Sequence, residues 1–359
     1  MRAARDPGSR PPIPFAAFVL LLVVLVGAGF FVRSVLSGDD VGPSVPAATE
    51  HPGSGPRATP GPSTTATPSP GAEHRGSLLI HGAGDVSLDP SYISTYASQG
   101  YGYAWSGLNG LFEHDDLTVV NLECAVSKLG SPVPKEFNFR GDPAALPVMR
   151  KAGVEVANMA NNHSYDFGPE ALLDTRKNIL DAGLEPVGAG KDPAEALAPA
   201  IFERNGWKIA VVGLDEVVDP PEAVAAPGHP GTAAGHDFHA MLDAVRAADQ
   251  EADLVVVDIH WGVELDTVPR SYQVTEGHKL VDAGADIIFG GHSHRLQPLD
   301  IYKGKPIFWS LGNFVWPNFS AEGSRTGVAE VHVSPDGDLR ARILPAFIQA
   351  PGHPVLQRG

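Results

Sequence analysis

The sequence predicts an α/β fold, a sandwich whose second sheet is partly antiparallel. Three observations carry this. Short apolar runs of strand length recur from Ser77 onward, and several end in an acid, an amide or an imidazole. Helical segments alternate with these runs in the first part of the folded region. Turn pairs then accumulate toward the C-terminus, where Lys303-Gly304 and Asp336-Gly337 follow the earlier Asn205-Gly206 and mark hairpins.

The elements follow in order. Ser77 to Asp85 reads as a short strand closing in a Gly-rich turn that presents an acid, and Leu117 to Glu123 repeats the pattern. Val154 to Ala160 is a third strand, ending in Asn161-Asn162-His163. A helix follows with Pro169 in its first turn, running to Ala182 and stopped by Gly183. Ala200 to Arg204 and Lys208 to Leu214 are the arms of a hairpin about Asn205-Gly206. Asp237 to Ala248 reads as helix, Leu254 to His260 as strand, Ser271 to about Ala283 as helix and Asp286 to Phe289 as strand. The hairpin at Lys303-Gly304 leads into Pro306 to Leu311, and Gly327 to Val333 and Leu339 to Leu344 form the last pair. The folded domain is placed at residues 77–350, with 351–359 as a tail.

Two segments precede it. No charge occurs between Arg10 and Arg33, a stretch of 22 residues. As a helix it would span roughly 33 Å, enough for a bilayer core. Arg2, Arg5 and Arg10 lie before it, which orients the N-terminus to the cytoplasm and the rest outside. Residues 1–37 are therefore read as a cytoplasmic tip and single-pass membrane anchor, and the domain as extracytoplasmic. A cleaved signal peptide, cut near Gly27-Ala28-Gly29, is the alternative. Residues 38–76 are rich in Pro, Gly, Ser, Thr and Ala and read as a disordered tether with a reach of roughly 35 Å.

Composition excludes some functions. A formal charge of −16 argues against nucleic acid as partner, because phosphate binding needs a basic surface. The single cysteine, Cys124, excludes an internal disulfide framework and reads as a small buried apolar side chain.

The polar residues at the strand ends carry the chemistry. In an α/β sheet the carboxyl ends of neighbouring strands open on one crevice. Asp85 and Glu123 would both reach it, and two close carboxylates repel unless a cation lies between them or one is protonated. His260 ends a strongly apolar run. Gly290-Gly291 free the backbone before His292 and His294, so the two rings can address two metals, or one metal and a substrate. Asn162 offers a neutral oxygen to a cation. His163, beside it, is better placed to donate a proton to a leaving group, with Asp166 fixing its tautomer. Arg140, in a Gly- and Pro-containing loop, suits a grip on carboxylate or phosphate. Asn161 and Glu264 are placed as further substrate contacts, Glu264 alternatively as a partner of the ligands. Taken singly, each of these residues has an ordinary role as a turn acid, a helix cap or a core histidine. Converging on one crevice, they read as a metal site.

The motifs Gly84-Asp85, Asn121-Leu122-Glu123, Phe137 to Pro143, Ala160 to His163 with Asp166 and Gly168, His260 to Glu264, Gly290 to His294 and Ser310 to Phe314 stand in one order. In that order they resemble the CapA capsule-biosynthesis family, called PgsA in the poly-γ-glutamate system, over about residues 77–348. That family is similar to the calcineurin-like metallophosphoesterases. The resemblance implies a four-layer α/β/β/α sandwich holding one or two divalent ions, with Mn, Fe and Zn all compatible with mixed oxygen and nitrogen ligands. It implies Asp85 as the first metal-binding acid, Glu123 as the bridge where Asp is usual, and Asn162 as a ligand. It further implies His163 as proton donor, His260 and His292 on the second metal and His294 on the first. One departure stands out: Ser87 replaces the histidine of the family pattern two residues after the first acid, so the first metal lacks a strong nitrogen ligand. The resemblance implies a role in producing a capsule or envelope polymer, acting on an anionic polymer or its precursor beside other synthase subunits. Two readings stay open: a metal-dependent hydrolase, or a non-catalytic subunit that handles the polymer.

Overall fold

The computed structural model describes residues 75–233 and 235–358. The uncharged stretch and the tether lie outside the described residues. Among those described, no helix is long and apolar enough to cross a membrane. The strands are β1 (Leu78–Val86), β2 (Leu117–Leu122), β3 (Val156–Asn158), β4 (Glu185–Val187), β5 (Ala189–Gly190), β6 (Ala200–Arg204), β7 (Trp207–Asp215) and β8 (Gly231–Thr232). They continue with β9 (Leu254–His260), β10 (Ile287–Gly291), β11 (Leu299–Tyr302), β12 (Lys305–Phe308), β13 (Asn313–Val315), β14 (Arg325–Val333), β15 (Leu339–Ala350) and β16 (His353–Leu356). The long helices are α1 (Gly168–Asp181), α2 (Phe238–Glu251) and α3 (Ser271–Asp282).

Among the described residues the fold is mixed α/β with two large sheets and no closed barrel. An eight-stranded sheet runs β16-β15-β14-β1-β2-β3-β4, with β13 also paired to β1. A six-stranded sheet runs β11-β12-β10-β9-β7-β6. Parallel strands form the body of each: β1 to β4 in the first, β7, β9, β10 and β12 in the second. Antiparallel strands close one edge of the first sheet and both edges of the second, while the parallel strand β4 is the first sheet's other edge, so the mixed character expected of one sheet belongs to both.

Burial explains why the central strands look as they do in sequence. Every residue of β2 and β9 is buried, which is why both read as largely apolar runs without a polar-out alternation. Along β7 the faces separate. Ile209 and Val211 pack with Ile80, Val119, Val256 and Phe289 between the sheets, while Ala210 and Val212 pack with Met241 and Val245 of α2 and Leu280 of α3. A third apolar cluster joins the other face of the first sheet, through Val120 and Leu122, to Leu172 and Ile179 of α1. Local signals place the ends. Asp237 caps α2 by accepting from the Ala240 amide at 3.1 Å. Asn205 and Gly206 take φ of 48° and 79° in the β6–β7 turn, as a two-residue I′ hairpin requires.

The segment read as a tail, 351–359, instead supplies β16, which adds an edge strand to β15. Its four residues include Pro354, too short and irregular a run to show a period. The third strand is shorter than its apolar run, because only Val156 to Asn158 pair with β2 while Met159 and Ala160 lie beyond that pairing.

Candidate metal centre

The carboxyl ends of β1, β2, β3, β9 and β10 converge with the start of β13. Asp85 sits in β1 in register with Asn121 of β2 and with Asn313 of β13. Asn121 is in turn opposite Asn158 of β3. In the second sheet, Gly291 of β10 pairs with His260 of β9. The glycine pair before His292 has a steric cause. A Cβ on Gly290 would lie 2.2 Å from the Trp309 carbonyl, and one on Gly291 would lie 2.9 Å from Asp85 Oδ1. His292 and His294 both take positive φ, 85° and 52°, an unfavourable backbone that persists where the surroundings over-determine it.

Two donor sets result. Glu123, His260 and His292 form one; Asp85, Glu123 and His294 form the other; within each, one ligand atom per residue lies within 4.8 Å of the others. Glu123 belongs to both. Asn162 Oδ1 lies 3.0 Å from His260 Nε2, beside the first set. His294 Nδ1 lies 3.0 Å from Asp85 Oδ2 and 2.9 Å from Asn313 Oδ1. Asn121 orders the acid, donating from Nδ2 to Asp85 Oδ1 at 2.8 Å. All six residues expected to bind metal are thus brought together.

The residues present fit divalent cations. Glu123 is fully buried, and neither of its oxygens has a hydrogen-bond partner. A buried carboxylate left so is costly unless it is neutralised. Burial first, then the charge of Asp85, pushes its carboxyl well above the usual range. Burial pulls His260 well below the ordinary imidazole value and His292 down to about 3, so both rings stay neutral with a lone pair to give. His294 differs. Burial lowers it, but its contact with Asp85 outweighs that and the net direction is up. The set containing Asp85 holds one imidazole where the other holds two. Ser87, where a second would stand, is buried, and its Oγ accepts from the Asp89 amide at 3.4 Å.

His163 stands beside these sets. Its Nδ1 lies 2.9 Å from Asp166 Oδ2, which fixes the ring. Asp166 also accepts from the Phe139 amide at 2.6 Å and pairs through Oδ1 with Lys135 Nζ at 2.8 Å. Lys135 donates to the Asn162 carbonyl at 2.6 Å, so one buried ammonium ties Asp166 to the backbone of the asparagine. Burial lowers the His163 pKa against the opposing pull of Asp166. His163, Glu264, His294, Arg295 and Asn313 line a pocket of about 290 Å³, with aromatic side chains on its remaining walls.

The expected substrate contacts divide. Glu264 lines the pocket. Asn161 is buried and spent on structure: its Nδ2 donates to Asn121 Oδ1 at 2.9 Å and its Oδ1 accepts from the His163 amide at 3.1 Å. Arg140 does not line the pocket; its guanidinium donates to the carbonyls of Ser127, Leu129 and Gly130 and lies 3.6 Å over the Phe167 ring. Its neighbours in a Gly- and Pro-containing loop suggested a free fork, but the loop itself takes up the donors. Sequence reasoning assigned no role to Lys135, Asn121, Asn313 or Arg295. A polar residue inside the wholly buried β2 is the signal that could have found Asn121.

Comparison with known proteins gives the family. The family described as bacterial capsule synthesis protein PGA_cap matches residues 80–318. The chain belongs to that family. PGA_cap lies within the metallophosphoesterase-like superfamily. Among relatives, this PGA_cap chain is 30% identical to a capsule biosynthesis protein CapA of Bacillus anthracis, over 76% of its own length and 68% of that protein. It is also 30% identical to a PGA biosynthesis protein CapA of Bacillus subtilis, over 74% of its length and 70% of that protein. A probable polyglutamine synthesis accessory protein of Mycobacterium tuberculosis is 32% identical over 56% of this chain and 55% of that protein.

Proposed function

We propose that this PGA_cap protein is a membrane-anchored, extracytoplasmic, metal-dependent hydrolase acting in the production of a capsule or envelope polymer of the poly-γ-glutamate type, on the polymer or a phosphorylated precursor. One observation carries the catalytic part: a buried carboxylate, Glu123, shared by two donor sets and without a hydrogen-bond partner among the described residues. The names of the relatives support the pathway, and the uncharged stretch between Arg10 and Arg33 supports the anchor. The three apolar clusters support a helix–sheet–sheet–helix order, the four-layer sandwich of the superfamily.

Asp85, Glu123, Asn162, His260, His292 and His294 would hold one or two divalent ions. When bound, such ions supply Lewis acidity and a water of lowered pKa. The remaining work falls to the chain. Asp166 holds His163 Nδ1–H, leaving Nε2 as the atom that can pass a proton to a departing oxygen. Without a ligand the ring is neutral, because burial opposes its second proton. An anionic substrate in the pocket favours that proton and readies the donor.

The second reading is a polymer-handling subunit without turnover, among other synthase subunits. The departure at Ser87, which leaves one donor set with a single imidazole, favours it. Elemental analysis of the purified protein, with turnover of a model phosphodiester, separates the two. Stoichiometric metal with turnover supports the enzyme; metal-free protein that binds anionic polymer supports the subunit. Protease added outside intact cells should reach the domain while the protein stays with the membrane. Recovery of the whole pool as soluble, N-terminally cleaved protein rules out the anchor.

A further inference from the structure

We infer that the substrate is amphiphilic, with a phosphoryl head on the polar floor of the pocket, at His163 and His294, and an unbranched apolar chain along its rim. This rests on the hydrolase reading above. The rim is apolar and exposed: Phe137, Leu265 and Phe319, all lining the pocket, are 48%, 60% and 75% accessible. Val263 and Val268, also exposed, flank Leu265 in the same loop. Other exposed large apolar side chains, such as Leu173, Ile201 and Ile301, sit on separate elements. A concentration of this kind around a polar floor marks a binding surface.

The wall that joins floor to rim is continuous. The His163 ring lies 4.3 Å from that of Phe139, Phe139 lies 4.6 Å from Tyr92, and Tyr92 meets Phe319 edge-on at 5.7 Å. A chain attached to the oxygen that faces His163 would leave the floor along this wall. In that reaction a water oxygen bonds to phosphorus and the bond from phosphorus to the chain-bearing oxygen breaks. That oxygen takes the His163 proton, and the proton of the water passes to solvent. An extended polyanion fits the rim poorly, because Arg295 is the single Lys or Arg among the lining residues and Glu264 lines the same pocket.

The test measures affinity for n-alkyl phosphonates, from methyl to hexyl, by calorimetry. The full chain is held in lipid nanodiscs with the metal it carries when purified, and empty nanodiscs serve as the blank. Phosphonates are not hydrolysed, so binding is read apart from turnover. Affinity should rise two- to fourfold per methylene, about fourfold being the value for full burial. Phe319→Ser combined with Leu265→Ser should reduce hexyl affinity at least about tenfold more than methyl affinity, with the thermal midpoint reporting that the fold is kept. A flat series, no binding at any length, or phenyl phosphonate binding more tightly than hexyl overturns the inference. A rising series in a protein without phosphoesterase turnover preserves it and defeats the hydrolase reading. Turnover with a flat series does the reverse.

Discussion

His163 and His292 lie close in the fold and differ in what their neighbours ask of them. His292 shares a donor set with Glu123 and His260, while His163 belongs to neither set and is fixed by Asp166. His163→Ala should therefore keep its metal and lower turnover by roughly two to four orders of magnitude. His292→Ala should lose metal and activity together. Metal analysis of both variants decides; equal metal loss in the two would make His163 a ligand. Lys135 supports this arrangement from behind. Its ammonium is buried, 4% exposed, and pairs with an Asp166 that is fully buried. Lys135→Met leaves that buried carboxylate without its cation, held only by His163 and the Phe139 amide, and should cost about 3–5 kcal/mol of stability in urea denaturation. Adding Asp166→Asn removes the charge and should return part of the loss. Additive losses in the double variant would show that the pair is not coupled.

The elements carry the site because the two sheets approach closely beneath it. Gly82 of β1 faces Phe289 of β10, where an added Cβ would lie 2.7 Å from the ring. Asn158 of β3 reaches across to Asp258 of β9, donating from Nδ2 at 2.7 Å. Gly82→Val should destabilise by about 1–3 kcal/mol, and Phe289→Leu in the same chain should recover part of it. Thermal unfolding of the three variants measures the coupling, and a Gly82→Val protein of unchanged midpoint would contradict the packing. The strands that meet here were legible in the sequence because each is buried on both faces and ends abruptly in a polar residue, as at Leu254 to His260. The histidines, Asn162 and the two acids were legible for the same reason. Lys135 was not: it reaches the site from a loop without period, and nothing in its neighbours in sequence forecasts an ion pair 31 residues on. Arg140 misled because composition reports that a guanidinium is present, not which carbonyls surround it. The short β13 escaped notice although it pairs with β1 at Asp85, since three residues after a Gly carry no pattern.

At the scale of the molecule, buried carboxyls set how stability and metal content vary with pH. Burial raises Asp215 and Glu155 to about 7. Unfolded carboxyls titrate near ~4. Between these values the metal-free fold keeps protons that the unfolded chain has released. The stability these two groups contribute is thus fullest below ~4 and is lost as pH rises through ~7, by on the order of a few kcal/mol. Asp215 accepts from Thr232 Oγ1 and from the Val217 amide, so Asp215→Asn keeps an acceptor and should flatten this slope. Metal acts in the opposite sense. Cations compete with the proton for Glu123, whose carboxyl is raised well above its usual range, so binding tightens as pH rises. At about a hundredfold excess over the dissociation constant, metal adds about 2.7 kcal/mol, or a rise of about 5–10 °C in midpoint for a domain of this size. Adding chelator should therefore lower the midpoint by that amount at pH 8 and by much less at pH 5.5, where proton and metal exchange at little net gain. Scanning calorimetry at the two pH values, with and without chelator, measures both slopes. A chelator effect of equal size at the two pH values would mean that Glu123 does not titrate against the metal, and a null effect at both would mean that the centre holds no ion in the folded protein.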